Sequence, residues 1–549
     1  MASGYWRLVL VGVVVWVGVG AQAQGTAAAP AAAPAAANAG KACSVNRTAP
    51  TPAEQAMNLK QYSKAEGLFR EVLAKSPQSA EVHEGLVRAL LEQDKVEDAA
   101  KDAAAWLASS PGDSMAMVAQ AEVLLRQGQP YLAIVEFRQA ARADLCNARA
   151  FYGLAEVDGL AGLHATAKRA IEQAYALHPT DDDIEGSWIG TRQRAERLAK
   201  WQDYAEHSDQ ISEEDRATMK TWLAKQMQEH TSDCRMAPSS PREAKVPMTA
   251  IMDGPYHQTG LGLDVKFNGS HKVLQLDTGA SGITISRAAA MFLGLQREDR
   301  GSTGGIGDKA EVRTSLIHVA SIKIGGIEFT NCAVDILEKF GVLDSDGLIG
   351  GDVFSESALT LDFPKRELRI APLPLRPGDK PPNPALDAAG DDQDEVAHDP
   401  YIAPEMAQWL RVYRSGHDLL MPTGLVDTKR VKDDSAWKDA LFILDTGSEE
   451  NLISPAAARS VTKVSRDWES GIQGIQGEVD KVYDAGKFTL QFAGLRMAAP
   501  GMTSIDTTRI SHDVGVEVSG FIGAPALFQM ALHIDYRDNL VWCEYSKPK

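Results

Sequence analysis

The sequence predicts a multidomain protein in which an all-α segment of helical repeats is followed by an all-β region made of two related halves. Three observations predict this order. Apolar residues recur every 34 residues in the first part of the chain, short strands with frequent glycines fill the second part, and one pattern occurs twice there. At 549 residues the chain is also too long for a single hydrophobic core, so several domains are expected.

The composition argues against several kinds of partner and ligand. The formal net charge is -18, whereas nucleic acid or an anionic membrane would require a basic surface on the protein. The five cysteines show no spacing typical of metal ligands, so we expect no structural zinc site and no cofactor. Because their number is odd, at least one thiol is expected to be free or paired with another molecule.

The N-terminus has the pattern of an export signal. An apolar run at residues 8–20 is followed by an A-x-A cleavage pattern at residues 21–23. We predict a signal peptide over residues 1–23, since the run is shorter than the ~20 residues that span a bilayer; the alternative is an uncleaved anchor helix. The Ala/Pro-rich residues 24–50 are expected to form an extended tether. The mature protein is thus expected to be exported, periplasmic or extracellular, without a membrane span.

The repeat period is carried by columns of residues that lie 34 positions apart. The first column is made of alanines and the second lies four residues later: Ala65, Ala99, Ala133 and Ala167, then Phe69, Ala103, Phe137 and Ile171. A small residue lets two helices cross closely, and a larger one fills the gap one turn later. The pattern resembles the tetratricopeptide repeat, and we predict three to four helix pairs over residues 51–182. Residues 183–235 are predicted to be a helical extension that caps the repeats.

Two segments of the β-rich part match each other closely. The first is VLQLDTGASGITIS at residues 273–286, and the second is LFILDTGSEENLIS at residues 441–454. Each is an apolar strand that ends in Asp-Thr-Gly and continues through a small residue into a second short strand. Each then reaches a helix start at Ser286 or Ser454, since serine is a preferred helix N-cap.

The match continues further along both halves. A glycine-rich hairpin, a strand pair, a hydrophobic motif ending in glycine and a strand–turn–strand follow in the same order: residues 302–312 and 471–482, 322–329 and 488–497, 346–350 and 519–523, and 359–370 and 532–543. This shared order implies a duplicated lobe. We therefore predict a first lobe over residues 245–372, an acidic Pro-rich linker over residues 373–400, and a second lobe over residues 401–547.

These motifs resemble those of the retropepsin-type aspartic proteases, and two such lobes in one chain are similar in plan to the pepsins. The resemblance implies that Asp277 and Asp445 are catalytic. Two carboxyl groups held close together share one proton, so one can activate a water molecule while the other protonates a peptide carbonyl. The resemblance also implies that Thr278 and Thr446 form hydrogen bonds between the lobes.

The resemblance also assigns the residues that support the carboxyl groups. Glycines after each threonine would allow close backbone approach, small residues would leave room beside the pair, and a glycine-rich flap would close over an extended substrate. The supporting residues are Gly279, Ala280, Gly447 and Ser448, and the flap residues are Gly304, Gly305, Ile306 and Gly307.

Two functions from different classes remain open. The first is an aspartic endopeptidase for peptide or protein substrates, in which the repeats recruit a protein partner or substrate and take no part in bond cleavage. The second is a non-catalytic peptide-binding scaffold with a protease-like fold, because tetratricopeptide arrays bind peptides on a concave face. Presence of both aspartates and both threonines favours the enzyme. Since residues 401–439 are longer than their counterpart in the first half, pairing of lobes between two chains is a further alternative.

Overall fold

The computed structural model describes residues 43–228, 234–295, 299–303, 312–337, 345–379, 397–467, 472–474, 477–479 and 481–546. The predicted signal peptide, most of the predicted tether, the predicted flap at residues 304–307 and most of the predicted linker lie outside these residues. Within them, a helical part is followed by a β-rich part. This arrangement confirms the predicted fold class.

Helices alone make up the first part of the described chain. Its first helix begins with a capping box, in which the Thr51 hydroxyl accepts from the Glu54 N–H and the Glu54 carboxylate accepts from the Thr51 N–H. The helices are α1 (Pro52–Asn58), α2 (Tyr62–Lys75), α3 (Ala80–Leu91), α4 (Val96–Ser109), α5 (Ser114–Arg126), α6 (Pro130–Ala143), α7 (Ala148–Leu160), α8 (His164–Leu177), α9 (Asp182–Gly190), α10 (Arg194–His207) and α11 (Glu213–Gln228). In the described ranges, no helix combines the length and the apolar character that crossing a bilayer requires.

The two repeat columns lie in the contacts between successive helices. All their members are buried except Ala167, which is half-buried. The ring of Phe137 lies so close to Gly153 of α7 that a Cβ at this glycine would overlap it, and the ring of Phe69 meets Gly85 of α3 in the same way. The columns therefore set how closely the helices pack, which is the role that their spacing predicts.

The β-rich part begins earlier than predicted. The last helix of the helical part, α11, ends at Gln228. Residues Arg235–Met236 already pair with the strand Ile327–Leu337. Residue 235 therefore belongs to the sheet and not to the helical extension. A sequence pattern could not reveal this, because a two-residue strand carries no periodicity.

The strands of the β-rich part follow along the chain in the order of the duplicated pattern. They are β1 (Arg235–Met236), β2 (Ala244–Asp253), β3 (His257–Phe267), β4 (Ser270–Asp277), β5 (Ile283–Ser286), β6 (Asp299–Thr303), β7 (Val312–Ile324), β8 (Ile327–Leu337), β9 (Gly347–Gly350), β10 (Ser357–Asp362), β11 (Glu367–Pro372), β12 (Leu410–Arg411), β13 (Tyr413–Ser415), β14 (Asp418–Val426), β15 (Lys438–Leu444), β16 (Leu452–Ile453), β17 (Val464–Asp467), β18 (Gln473–Gly474), β19 (Gly477–Glu478), β20 (Val482–Ala485), β21 (Phe488–Phe492), β22 (Leu495–Ala499), β23 (Met502–Ile505), β24 (Gly520–Ile522), β25 (Met530–Asp535) and β26 (Leu540–Tyr545). Short helices α12 (Arg287–Phe292), α13 (Pro455–Arg459), α14 (Thr508–Val514) and α15 (Ala524–Leu527) lie between them. Ser286 and Ser454 cap α12 and α13 by accepting from the Ala289 and Ala457 N–H groups, which confirms the predicted helix starts.

The two lobes are joined within one chain by an antiparallel sheet. The hairpin β10–β11 of the first lobe pairs with the hairpin β25–β26 of the second through β10 and β25. Thr360 faces His533, and the residues on either side pair reciprocally. These two residues also occupy the same position in the duplicated pattern, so a local twofold axis passes between them. The two halves of the β-rich part therefore share one sheet within the chain.

Two disulfides hold the described part of the chain. One joins Cys43 to Cys146 and so ties the segment before α1 to the repeats, and the other joins Cys234 to Cys332 on β8. Cys543 is free and buried, which agrees with the odd number of cysteines.

The helical repeats pack directly against the second lobe. Arg126, at the end of α5, donates from Nη1 to the Ser511 carbonyl oxygen at 2.6 Å, and Leu125 packs against an apolar cluster of the second lobe. At the next repeat, the Thr166 N–H and hydroxyl both donate to the Asp399 carboxylate. Arg126 is the last residue of α5 and Thr166 lies in the first turn of α8, so these contacts come from the ends of helices.

Candidate active site

Both Asp-Thr-Gly turns lie at the ends of central strands. Asp277 is the last residue of β4, which runs parallel to β9, and Asp277 itself pairs with Gly350. Asp445 directly follows β15, which runs parallel to β24, and its N–H donates to the Ile522 carbonyl oxygen at 3.1 Å. In each lobe, the strand that carries the aspartate is thus held by the later hydrophobic motif that ends in glycine. Two equivalent strand ends meet where the lobes face each other.

The two threonines link the turns reciprocally. The Thr278 hydroxyl donates to the Leu444 carbonyl oxygen at 2.6 Å and accepts from the Thr446 N–H at 3.1 Å. The Thr446 hydroxyl donates to the Leu276 carbonyl oxygen at 2.8 Å and accepts from the Thr278 N–H at 3.0 Å. Both threonines are buried. Because a buried polar group that loses its partner costs about 1–3 kcal/mol, these four bonds strongly favour one relative position of the turns.

The carboxyl groups of Asp277 and Asp445 lie side by side, each against the glycine of the opposite turn. Backbone donors hold each from its own turn: Gly279 N–H reaches Asp277 Oδ1 at 2.9 Å, and Gly447 and Ser448 N–H groups reach Asp445 Oδ1 at 2.9 Å and 3.0 Å. A Cβ at Gly279 would lie 2.8 Å from Asp445 Cγ, and one at Gly447 would overlap the Asp277 carboxyl group. The glycines therefore allow each carboxyl group to lie against the backbone of the opposite turn.

The two aspartates differ in their electrostatic surroundings. Burial raises the pKa of Asp277 well above its usual range, and the neighbouring Asp445 raises it further. Burial also raises the pKa of Asp445, but the neighbouring Asp277 and the Gly447 and Ser448 N–H groups oppose the rise. Two adjacent carboxyl groups cannot both ionise easily, so ionisation of one raises the pKa of the other. Asp445 accepts two backbone N–H bonds and Asp277 one, which favours ionisation of Asp445.

The other residues predicted for the site are placed as follows. Ala280 is half-buried beside the first turn, and the Ser448 hydroxyl donates to the Glu450 carbonyl oxygen at 2.8 Å. The predicted flap, residues 304–307, lies outside the described residues. Its counterpart at residues 471–482 contains the two-stranded hairpin formed by β18 and β19. The pair and its supporting turns are thus brought together, while the first flap adds nothing to the described site.

Sequence reasoning missed His417 and Asp418, which lie beside the pair. The His417 Nε2–H donates to the Gly279 carbonyl oxygen at 3.2 Å and lies 3.5 Å from Asp418 Oδ1. Burial raises the pKa of Asp418 to about 6. The only sequence signal was the greater length of residues 401–439, because these two residues are not part of any repeated motif. Among the described residues, no group of three or more His, Cys, Asp or Glu side chains is arranged to hold a metal ion.

Comparisons with known proteins identify two parts of the chain. A model of the aspartyl protease family matches residues 263–353, and a model of the tetratricopeptide repeat matches residues 56–122. The chain therefore contains an aspartyl protease domain and tetratricopeptide repeats. Among solved structures, a thermophilic tetratricopeptide-repeat protein from Thermus thermophilus is 21% identical, with a TM-score of 0.26, over 32% of this chain and 96% of that chain. No curated protein matches the chain.

Proposed function

We propose that the chain is an aspartic endopeptidase of retropepsin-like and pepsin-like plan, in which Asp277 and Asp445 activate water. The observation that carries the proposal is the close approach of two aspartate carboxyl groups, one from each half of the β-rich part, in turns that are fixed to each other by four threonine hydrogen bonds. A pair with one shared proton has both an acid and a base within reach of one bound substrate.

In the proposed reaction, the ionised Asp445 takes a proton from a water molecule as the water oxygen attacks the peptide carbonyl carbon. Asp277 gives its proton to the carbonyl oxygen, so the tetrahedral intermediate is a neutral diol. Asp445 then gives its proton to the nitrogen and the C–N bond breaks, while a hydroxyl group of the diol returns a proton to Asp277. This yields a carboxyl group and an amine and restores the starting protonation of the pair. The threonine hydrogen bonds hold both turns in place, so neither carboxyl group has to reorient during the reaction.

The electrostatics favour this proposal over a non-catalytic scaffold. Placing two carboxyl groups together in a buried position is unfavourable, because one of them must stay protonated at a pH where an exposed aspartate is ionised. Peptide binding by a scaffold does not require two adjacent carboxyl groups, and two apolar side chains of similar volume would make the folded protein more stable. Carboxyl groups whose pKa values are shifted in this way are typical of catalytic sites.

A peptide inhibitor that carries a hydroxyl group in place of the attacked carbonyl is expected to block cleavage, because it resembles the diol intermediate. Cleavage of a quenched fluorescent peptide library by the purified protein would be measured with and without this inhibitor. The matched control is the same peptide with a methylene group in place of the hydroxyl-bearing carbon, and it should bind at least about a hundredfold more weakly. Inhibition by a chelator or a serine-directed reagent instead would contradict the proposal.

We further infer that the repeats recruit a protein partner or substrate in the exported compartment. The contact with the second lobe includes Arg126 at the end of α5, whereas tetratricopeptide arrays bind peptides on a concave helical face. A second attachment point raises the local concentration of a substrate without changing the chemistry at the carboxyl pair.

Removing residues 43–228 is expected to leave cleavage of a short peptide nearly unchanged and to narrow the set of exported proteins that are cut. The deletion should keep Cys234, because the Cys234–Cys332 disulfide belongs to the first lobe. Mass spectrometry of newly formed N-termini would compare the two forms on one extract of exported proteins. Circular dichroism would establish that the shortened chain is folded. If the folded, shortened chain lost short-peptide cleavage, the repeats would be part of the catalytic unit.

A further inference from the structure

The carbonyl group of each Asp-Thr-Gly glycine is held by a side chain from the opposite lobe. The buried Gln275 of the first lobe donates from Nε2 to the Gly447 carbonyl oxygen at 3.3 Å. His417 of the second lobe donates from Nε2 to the Gly279 carbonyl oxygen at 3.2 Å. The two hydrogen bonds hold equivalent carbonyl groups on the two sides of the local twofold axis. One donor is a neutral amide, and the other is an imidazole that can carry charge.

The two donors do not occupy equivalent positions in the lobes. Gln275 pairs with Gly262 in the first lobe, and the equivalent ladder position in the second lobe joins Ile443 to Leu420. By this register, His417 and Asp418 correspond to residues 259 and 260 of the first lobe, a threonine and a glycine. The ionisable donor is therefore an individual feature of the second lobe and not a product of the duplication.

Several charged or titratable groups surround this corner of the site. His417 and Asp418 lie at the hairpin between β13 and β14, and the two catalytic carboxyl groups lie at the ends of β4 and β15. On the far side, the Arg414 Nη1–H donates to the Tyr536 carbonyl oxygen at 2.7 Å. The groups that interact electrostatically here are Asp277, Asp352, Arg414, His417, Asp418, Asp445 and Tyr536.

These groups act differently on the two catalytic carboxyl groups. His417 bonds the Gly279 carbonyl oxygen, and the Asp445 carboxyl group lies against this same glycine, since a Cβ there would be 2.8 Å from Asp445 Cγ. From this position a positive charge on His417 favours the ionised form of Asp445, whereas the charge of Asp418 raises the pKa of Asp277. In the first lobe, the neutral Gln275 contributes no such charge. The two aspartates therefore differ in their surroundings because of charged groups that only the second lobe contributes.

We propose that His417 is a positioning residue, supported by Asp418, that makes Asp445 the carboxylate which accepts the proton from water and Asp277 the carboxyl group that protonates the peptide carbonyl. The proposal rests on the proposed peptidase function. It assigns the roles of the two aspartates from a contact that lies outside the duplicated motif. The hydrogen bond to Gly279 places the imidazole next to the pair, and its charge stabilises the ionised form of Asp445.

The test compares His417→Gln with Asp418→Asn in pH profiles of kcat/KM for a short peptide. Glutamine keeps an N–H donor for the Gly279 carbonyl oxygen but removes the charge, as Gln275 does in the other half. We expect the acidic limb in His417→Gln to move about one pH unit higher, since a nearby opposite charge shifts a carboxyl pKa by about 1–3 units. Activity on that limb would then be about tenfold lower. In Asp418→Asn the alkaline limb, which reports loss of the proton from Asp277, should move to lower pH, because the charge that raises the pKa of Asp277 is removed.

A neutral control comes from Gln275→Ala, which removes the equivalent hydrogen bond without removing a charge. It is expected to lower kcat without moving the acidic limb. A His417→Gln profile whose acidic limb does not move, or moves to lower pH, would overturn the proposal. If His417→Gln did not fold, as judged by circular dichroism, the alkaline limb of Asp418→Asn would still have to move to lower pH.

A second measurement separates this proposal from the peptidase function. Carbon-13 NMR of labelled aspartate carboxyl groups follows the titration of the pair in a protein that need not turn over. If the wild-type chain cleaved no peptide, the peptidase function would fail. The assignment of Asp445 as the more acidic carboxyl group would then stand or fall on the titration shift in His417→Gln.

Discussion

Asp277→Asn and Asp445→Asn are each expected to lower kcat/KM for peptide cleavage by about four orders of magnitude, a loss typical of removing one member of a catalytic unit. Asparagine cannot accept a proton from water or give one to a carbonyl group. Because acid and base work on the same substrate, either substitution alone removes the reaction. The double variant should therefore be little worse than either single one.

The same two substitutions should not unfold the protein. Burial raises the pKa of both carboxyl groups, and a raised pKa in the folded state favours folding only while the group is protonated. This contribution is present below the pKa of the unfolded aspartate and is lost as pH rises through the folded value. Relative to wild type, the asparagine variants should thus gain free energy of unfolding as the pH rises, as urea titrations at several pH values would measure.

An exposed aspartate provides the matched control. Asp513 is 69% exposed in the second lobe. Asp513→Asn should leave kcat/KM unchanged, and it should change the free energy of unfolding by no more than about 0.5 kcal/mol. Near-normal turnover in Asp277→Asn or in Asp445→Asn would show that the two carboxyl groups do not form a catalytic pair within one chain.

The pair could be predicted because the chain contains its pattern twice. A single Asp-Thr-Gly would be weak evidence, but strands, a helix cap and a closing glycine motif follow it in the same order in both lobes. The repeats could be predicted for a similar reason, since small side chains such as Ala65 and Ala99 are needed wherever two helices cross closely. Both predictions use patterns that local packing demands.

Features that occur once could not be predicted in this way. Five cysteines allow many pairings, and the partners Cys43–Cys146 and Cys234–Cys332 are brought together only by the tertiary fold. The contact of His417 with Gly279 joins residues 138 apart in sequence, and no sequence motif or repeat spacing predicts it. The docking of Arg126 on the second lobe is likewise a contact between surfaces whose positions are set by the folded chain.

Gly447→Ala is expected to lower kcat/KM by about a hundredfold or more in a protein that still folds. No left-handed backbone conformation is recorded for Gly447, so alanine is compatible with the backbone. The added methyl group would nevertheless overlap the Asp277 carboxyl group, and this group would have to move away from Asp445. A displacement of about 1 Å at a reacting group can cost about a hundredfold in rate.

The matched control for this substitution is Gly501→Ala in the same lobe. Its added Cβ would have a single neighbour, the Ala485 carbonyl oxygen at 3.9 Å, so activity and stability should stay near those of wild type. Gly447→Ala should also lower the free energy of unfolding by about 1–3 kcal/mol, the usual range for an overpacked site. Kinetics on a short peptide and urea unfolding would measure both effects. A Gly447→Ala variant that kept its kcat/KM would mean that catalysis does not need the close approach of Asp277 to the opposite turn, and the shared-proton pair would have to be abandoned.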